Sequence, residues 1–332
     1  MPNADLSVLV RAHVDRGIAD LKRRDYTAAI ARFDSALKID PSSERTHVLR
    51  GRALARLERF NEALAAIGHA LRLKPTDTAA MTERGTVYMA LNQHEKALSD
   101  FDTAIHAGAR KPADYFHRGA VLFNLKQWSR AAEDFSTTLK QEKSARTFFY
   151  RGLCRRQLND FDGSLADFTS ALQADPKYVD AIRERALLLA AAQRTEQAIA
   201  DATGWIEMCP GLPEALALRG ELYHHLDCDA EALADYRAAL AIAPSDAKAV
   251  NRVAWLLATS NEDAVRDAKL ALEMAEQANS FASQSDPLIL DTLATARKAN
   301  GDIAGAREAI DRAISIAPPE LRDELIRRRE SL

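Results

Sequence analysis

Residues 44–77 read ERTHVLRGRALARLERFNEALAAIGHALRLKPTD, and residues 78–111 read TAAMTERGTVYMALNQHEKALSDFDTAIHAGARK. Laid over one another at a shift of 34 residues, they put Gly51 on Gly85, Ala63 on Ala97, Ile67 on Phe101 and Ala70 on Ala104. Within each stretch the apolar residues fall three and four apart in two runs, the spacing by which a helix collects them on one face. Polar residues such as Asn92 separate the runs. Each stretch therefore predicts a helix, a turn and a second helix.

The same register extends in both directions. Glycine recurs at Gly17, Gly51, Gly85, Gly119 and Gly152, Ala186 then takes the slot, and Gly220 follows, at intervals of 34, 34, 34, 33, 34 and 34 residues. Small residues keep step at Ala29, Ala63, Ala97, Ala131, Ser164, Ala198 and Ala232. Bulky ones follow at Phe33, Ile67, Phe101, Phe135, Phe168 and Tyr236, with Ala202 the exception. Proline closes units at Pro41, Pro75, Pro176, Pro210 and Pro244, where it cannot donate to the preceding helical turn. Glycine and the small column let two helix backbones approach closely, and the bulky column is expected to fill the wedge between neighbouring hairpins.

These columns resemble the tetratricopeptide repeat family, in the form of the multi-repeat bacterial-type members, over nearly the whole chain. The resemblance implies an all-α, right-handed superhelical solenoid of about nine helix-turn-helix hairpins. Residues 1–9 read as a lead-in, 10–246 as seven regular units, 247–318 as two further units, and 319–332 as a C-terminal cap helix. In the eighth unit the turn reads about two residues longer than the others, and Asn279 to Asp286 reads as an extra connection. Leu290, Ala294, Ala306, Ile310, Ala313 and Pro318 restore the columns in the ninth. Polar His13 and Asp20 mark the first unit as an atypical cap.

Composition narrows the function. A length of 332 residues suggests about two domains, a prior that repeats override, and 47% hydrophobic residues suffice for a continuous core. Abundant alanine, the best helix former, favours packed helices. Lys and Arg number 45 against 48 Asp and Glu, a formal charge of −3, so no basic footprint for nucleic acid exists. The start of the chain lacks a secretion signal, and the longest apolar run, Ala186 to Ala192, is too short to span a bilayer, so no membrane insertion is expected and a cytoplasmic location is. Cys154, Cys209 and Cys228, odd in number and widely spaced, predict reduced structural thiols.

The informative stripe lies on the first helix of each unit, at positions three before, one after and four after the glycine. In the resembled family that stripe lines the concave groove where peptides or partner helices bind. Here it reads Val14, Ile18, Leu21; Val48, Arg52, Ala55; Thr82, Thr86, Met89; Phe116, Ala120, Phe123; Phe149, Leu153, Arg156; Arg183, Leu187, Ala190; Ala217, Glu221, His224. Large apolar residues beside arginines make a plausible peptide anchor, and the candidate groove residues are Arg52, Met89, Phe116, Phe123, Phe149, Arg156 and Arg183. Packing between adjacent first helices is the alternative for several of them. The carboxylate clamp of the family's chaperone-binding members, with asparagine after the first glycine, is not present as such, since Ile18 follows Gly17 and Arg52 follows Gly51.

An arginine precedes the glycine column at Arg16, Arg50, Arg84, Arg118, Arg151, Arg185 and Arg219, and acidic residues recur at Asp100, Asp134, Asp167, Asp201 and Asp235. Structural ion pairs within the stack are the expected result. Catalytic chemistry is thin. His224, His225, Asp227 and Cys228 lack zinc spacing, His94 with Glu95 lacks a second histidine because Leu98 stands there, and Gly301 with Gly305 belongs to a hairpin turn. Trp128, Trp205 and Trp255 read as packing residues. The expectation is therefore a scaffold that is not an enzyme, with no cofactor or metal, binding a protein or peptide partner of acidic or apolar character. A homo-oligomer built on Val14, Ile18 and Leu21 is the alternative, and a regulatory or substrate-presenting enzyme subunit ranks behind both.

Overall fold

The computed structural model describes residues 2–332, with side chains from Leu6 onward. Among the described residues every regular element is a helix. The first five hairpins are α1 (Pro2–Lys22) with α2 (Tyr26–Ile39), α3 (Glu44–Arg56) with α4 (Phe60–Leu73), α5 (Thr78–Ala90) with α6 (His94–His106), α7 (Pro112–Asn124) with α8 (Trp128–Gln141), and α9 (Ala145–Gln157) with α10 (Phe161–Ala174). Four more follow: α11 (Val179–Ala191) with α12 (Thr195–Met208), α13 (Pro213–His224) with α14 (Asp229–Ile242), α15 (Ala247–Thr259) with α16 (Ala268–Phe281), and α17 (Pro287–Ala299) with α18 (Ile303–Ile316). The last helix is α19 (Pro319–Glu330). The described residues thus form an all-α helical repeat solenoid of nine hairpins and a closing helix. Helix α1 runs through the stretch expected as a lead-in.

The chain divides into two compact blocks, Met1–Pro176 with the first five hairpins and Lys177–Leu332 with the rest. The sequence columns give no sign of that division. In the N-terminal block Phe33, Leu54 and Ile67 share one buried cluster, while Phe101 packs with Val121 and Phe135 with Leu122 and Cys154. In the C-terminal block Tyr236, Leu256, Leu257, Leu290, Ile310 and Leu325 are buried together.

The glycine column works through close approach. A Cβ built on Gly17 would lie 2.5 Å from Phe33, on Gly152 2.8 Å from Phe168, and on Gly220 2.8 Å from Tyr236. Each ring therefore lies on the glycine of its own hairpin, sealing the two helices of one unit where the columns suggested a wedge between units. In the sixth hairpin both partners change: Ala186 replaces the glycine, Ala202 replaces the ring, and both are fully buried.

The turns inside the hairpins share one device. Arg24, Glu58, Asn92, Lys126, Asn159, Gln193 and Asp227 all have φ between 55° and 64°, and Gly301 takes the same place in the ninth hairpin with φ of 83°. The residue after each donates its N–H five residues back, as Arg59 does to the Leu54 carbonyl at 3.0 Å and Asp302 to Arg297 at 3.0 Å. This is the left-handed termination that satisfies the last carbonyls of the first helix. Between hairpins, proline stands two residues past the end of α2, α4, α10, α12 and α14. The third hairpin uses Gly108 instead, with φ of 107°.

The eighth hairpin departs further than expected. Its turn occupies residues 260–267, where the second hairpin uses 57–59, and the connection expected from Asn279 shrinks to 282–286 because α16 continues to Phe281. The long turn is held by buried polar contacts. Ser260 Oγ donates to Asp229 Oδ2 at 2.6 Å, the Asp229 N–H donates to Glu262 Oε1 at 2.8 Å, and His224 Nδ1 lies 2.6 Å from Asp229 Oδ1. Val265 plugs the turn into the core. No helix of the described residues is long and apolar enough to cross a membrane.

Candidate binding surface

The arginine ladder is structural. Arg84, Arg118, Arg151, Arg185 and Arg219 each grip the aspartate 16 residues ahead, on the second helix of the same hairpin, through Nε and Nη2. Arg118 also reaches back, its Nη1 lying 2.8 Å from Asp102 of the preceding hairpin, and Arg219 Nη1 donates to Thr203 at 3.1 Å. Arg50 turns wholly backwards to Asp34, 2.6 Å away, because Ala66 stands where its own acid would be. A planar fork with five donors suits this two-sided role, and lysine would not match it.

The candidate groove residues are distributed over both blocks. In the N-terminal block Arg52 is taken up by Glu83 of the next first helix, with Nε 2.8 Å from Oε1. Met89 is half-buried against Phe101 and Val121. Phe116 and Phe123 both pack edge-on to Tyr150, with ring centroids 6.0 and 5.6 Å away, and Trp128 closes on Phe123 at 5.0 Å. Phe149 is a core residue, 7% exposed, with its ring 5.8 Å from Phe168. Phe149 thus shares in the packing about Phe168 from its stripe position on α9. Arg156 is half-buried on α9. Arg183, in the C-terminal block, lies 3.2 Å from Glu184 and 3.6 Å from Asp180.

Two residues missed in the sequence complete the aromatic group. Arg146 sits over the rings of Phe116 and Tyr150 at 5.0 and 5.7 Å, so the basic rim of the aromatic patch comes from the start of α9. Phe116 and Arg146 line a cavity of about 200 Å³ with Pro112, Glu142 and Ser144. The run FFY at 148–150 is the sequence signal for this group, although the first-helix stripe contains only Phe149 of the three. On the first hairpin, Val14 is buried, and Ile18 and Leu21 are half-buried against the core of the first two hairpins.

Two further cavities lie in the C-terminal block, on the same first-helix stripe continued past the seventh unit. One, of about 320 Å³, is lined by Leu187, Pro213, Ala217, Glu221, Ala249 and Arg252 among others. The second, of about 280 Å³, takes Glu221, Asn251, Arg252, Trp255, Asp291 and Arg328 into its wall. Glu221 and Arg252, 3.4 Å apart, stand in the wall of both. Trp255, expected to be a packing residue, instead presents its face beneath the guanidinium of Arg328, 5.1 Å from the ring centroid. Arg328 is also paired with Asp291, whose carboxyl burial pushes above its usual range against the pull of that arginine. Leu187 and Leu288, 41% and 53% exposed, offer apolar area at these sites.

His224 and His225 line the second cavity, and His224 is engaged by Asp229. Among the described residues no group of three or more His, Cys, Asp and Glu side chains is placed to hold a metal. Burial pushes the Cys154 thiol up to about 12, which leaves it protonated and unreactive at neutral pH.

Residues 19–134 match the family model for the N-terminal tetratricopeptide repeat region of Psidin, and residues 118–179 and 151–213 match a general tetratricopeptide repeat model. No curated protein matches the chain in sequence. Among solved structures it is similar to the C-terminal part of a repeat-containing protein from Cytophaga hutchinsonii, with 19% identity, a TM-score of 0.59, and coverage of 72% of this chain and 98% of that one. A tetratricopeptide repeat protein from Parabacteroides merdae gives 18% identity and a TM-score of 0.50, covering 81% and 98%. Pseudomonas aeruginosa pilF gives 16% identity and a TM-score of 0.52, covering 62% and 93%. At these identities the likeness is one of fold.

Proposed function

Because this chain belongs to the tetratricopeptide repeat family, we propose that it is a non-catalytic scaffold that holds a segment of another polypeptide against the first-helix face of its hairpins. The observation that carries the reading is the pair of cavities on α11, α13, α15 and α17, lined by stripe residues and edged by exposed Leu187 and Leu288. Leu187 and Leu288 stand in the walls of these cavities, where they join the apolar lining into a surface that a partner's apolar side chains would cover. The cavities are small, and side chains of an extended segment or a helix would fill them better than a whole metabolite. The ion-paired arginines Arg52 and Arg183 leave less free positive charge for an acidic peptide than the stripe first suggested, so acidic anchors on the partner are not favoured. Self-association through the first hairpin has less to draw on, because its stripe is packed away.

The test replaces exposed apolar area by charge on one face only. Leu187→Glu on α11 should reduce capture of the chain's partners at least tenfold by quantitative mass spectrometry. Arg237→Glu, exposed on the second helix α14, should leave capture unchanged. Equal capture by both variants would remove the assignment of the first-helix face.

A further inference from the structure

The cavity of about 280 Å³ has an unusual chemical bias. Its polar wall is rich in acceptors: the carboxylates of Glu221 and Asp291 and the Thr292 hydroxyl. The cations in the wall, Arg252 and Arg328, are both guanidiniums, and both lie on aromatic faces, Arg252 5.8 Å from the Tyr236 centroid and Arg328 5.1 Å from that of Trp255. Each is also paired with a carboxylate, Arg252 with Glu221 and Arg328 with Asp291. A flat face with an acid at its edge is the environment a planar, delocalised cation fills and a compact ammonium fills poorly.

The two arginines differ in where they come from. Arg252 belongs to α15, in the wall itself. Arg328 arrives from α19, the terminal helix, is 38% exposed in its side chain, and is also held by Glu324 of its own helix at 2.8 Å. Other contacts fasten α19: Leu325 is buried in the core, and Lys298 Nζ donates to the Ser331 carbonyl at 2.8 Å. Arg328 can therefore leave the Trp255 face by rotating its side chain while the helix stays docked. Its departure would expose an aromatic face and a buried carboxylate, and would lower the charge of the wall by one.

We propose that this cavity is a receptor for an arginine side chain, and that Arg328 occupies it in cis until an arginine of the held polypeptide takes its place. The identity of the incoming arginine as part of a held polypeptide rests on the function proposed above; the receptor itself does not. Arg328 then acts as a tethered competitor, so a partner must carry more than this one contact to displace it.

The experiment uses the full chain and N-acetyl-arginine amide as the probe, with N-acetyl-citrulline amide as its neutral isostere. Binding is read from the indole N–H resonance of Trp255, assigned by its loss in Trp255→Phe. Arg328→Ala should bind the arginine probe at least tenfold more tightly than the parent chain, and the citrulline probe no more tightly than the parent does. Asp291→Asn in the Arg328→Ala background should abolish the gain. Arg328→Gln, which keeps the aliphatic stem, should show the same gain if the alanine variant loosens α19. Equal affinity of parent and both Arg328 variants for arginine, or equal affinity of the variants for citrulline, overturns the proposal. Such a failure would leave the Leu187→Glu result untouched, because that test requires no arginine.

Discussion

Ala186 and Ala202 sit at the two places where the neighbouring hairpins set glycine against a large ring, and both are fully buried. The pair is a reciprocal exchange. Rings at this contact already come within 2.5–3.0 Å of where a Cβ would lie on their glycine, so an alanine there forbids the ring and a small residue must answer it. Ala202→Phe alone should destabilise the chain by about 1–3 kcal/mol through overpacking. Ala186→Gly alone should cost about 1 kcal/mol in helix propensity. The double variant should be more stable than the sum of the two predicts, with a favourable coupling of roughly 1 kcal/mol or more in denaturant unfolding. Simple additivity would show that the ring-on-glycine contact does not govern this hairpin. The exchange was visible in the sequence as two exceptions, Ala186 and Ala202, one in each column. What the columns did not disclose is that the exceptions are partners, because contact across the hairpin is a property of two helices and not of one position.

Helices are the scale at which the repeat was most legible. Glycine, alanine and proline columns report close approach and termination, which are local demands on the backbone, so the hairpins follow from them directly. Features that depend on what a side chain meets were not legible. Phe149 and Phe116 occupy the same stripe position in successive units, yet one is buried on Phe168 and the other lines a cavity beside Arg146. The long turn at 260–267 was underestimated because Val265 and the Ser260–Asp229 bond, which make it compact, are long-range contacts. Helix starts can be read more closely. Asp25, Asp160 and Asp302 each accept from the backbone N–H three residues on, at 3.0, 3.0 and 2.9 Å, at the start of the second helix of their hairpins. Arg194 occupies the same place before α12 and makes no side-chain cap. Arg194→Asp should supply the missing acceptor and a favourable charge at the helix N-terminus, raising stability by about 1 kcal/mol in equilibrium unfolding. A neutral or destabilising result would mean that the end of α12 is satisfied by other means.

Among the described residues the second helices repeat one core contact, the bulky residue seated on the glycine of its own hairpin, while the first-helix stripe changes from unit to unit. Arg52, Met89 and Phe116 in the N-terminal block, and Leu187, Glu221 and Trp255 in the C-terminal block, share that stripe while differing in size, charge and exposure. The arginine–aspartate ladder, by contrast, recurs in the same form along the hairpins, as a framework contact should. A face that varies on a framework that repeats is how one architecture comes to hold a particular partner. The central claim is therefore about a face, and a photo-reactive amino acid placed singly along the chain tests it most directly. With the probe at Leu187, Ala217 and Trp255 on first helices, and at Arg237, Glu273 and Glu308 on second helices, irradiation in native lysate should yield adducts to the same polypeptide from the first set only. Adducts of equal yield from both sets, or from the second-helix positions alone, would contradict the account.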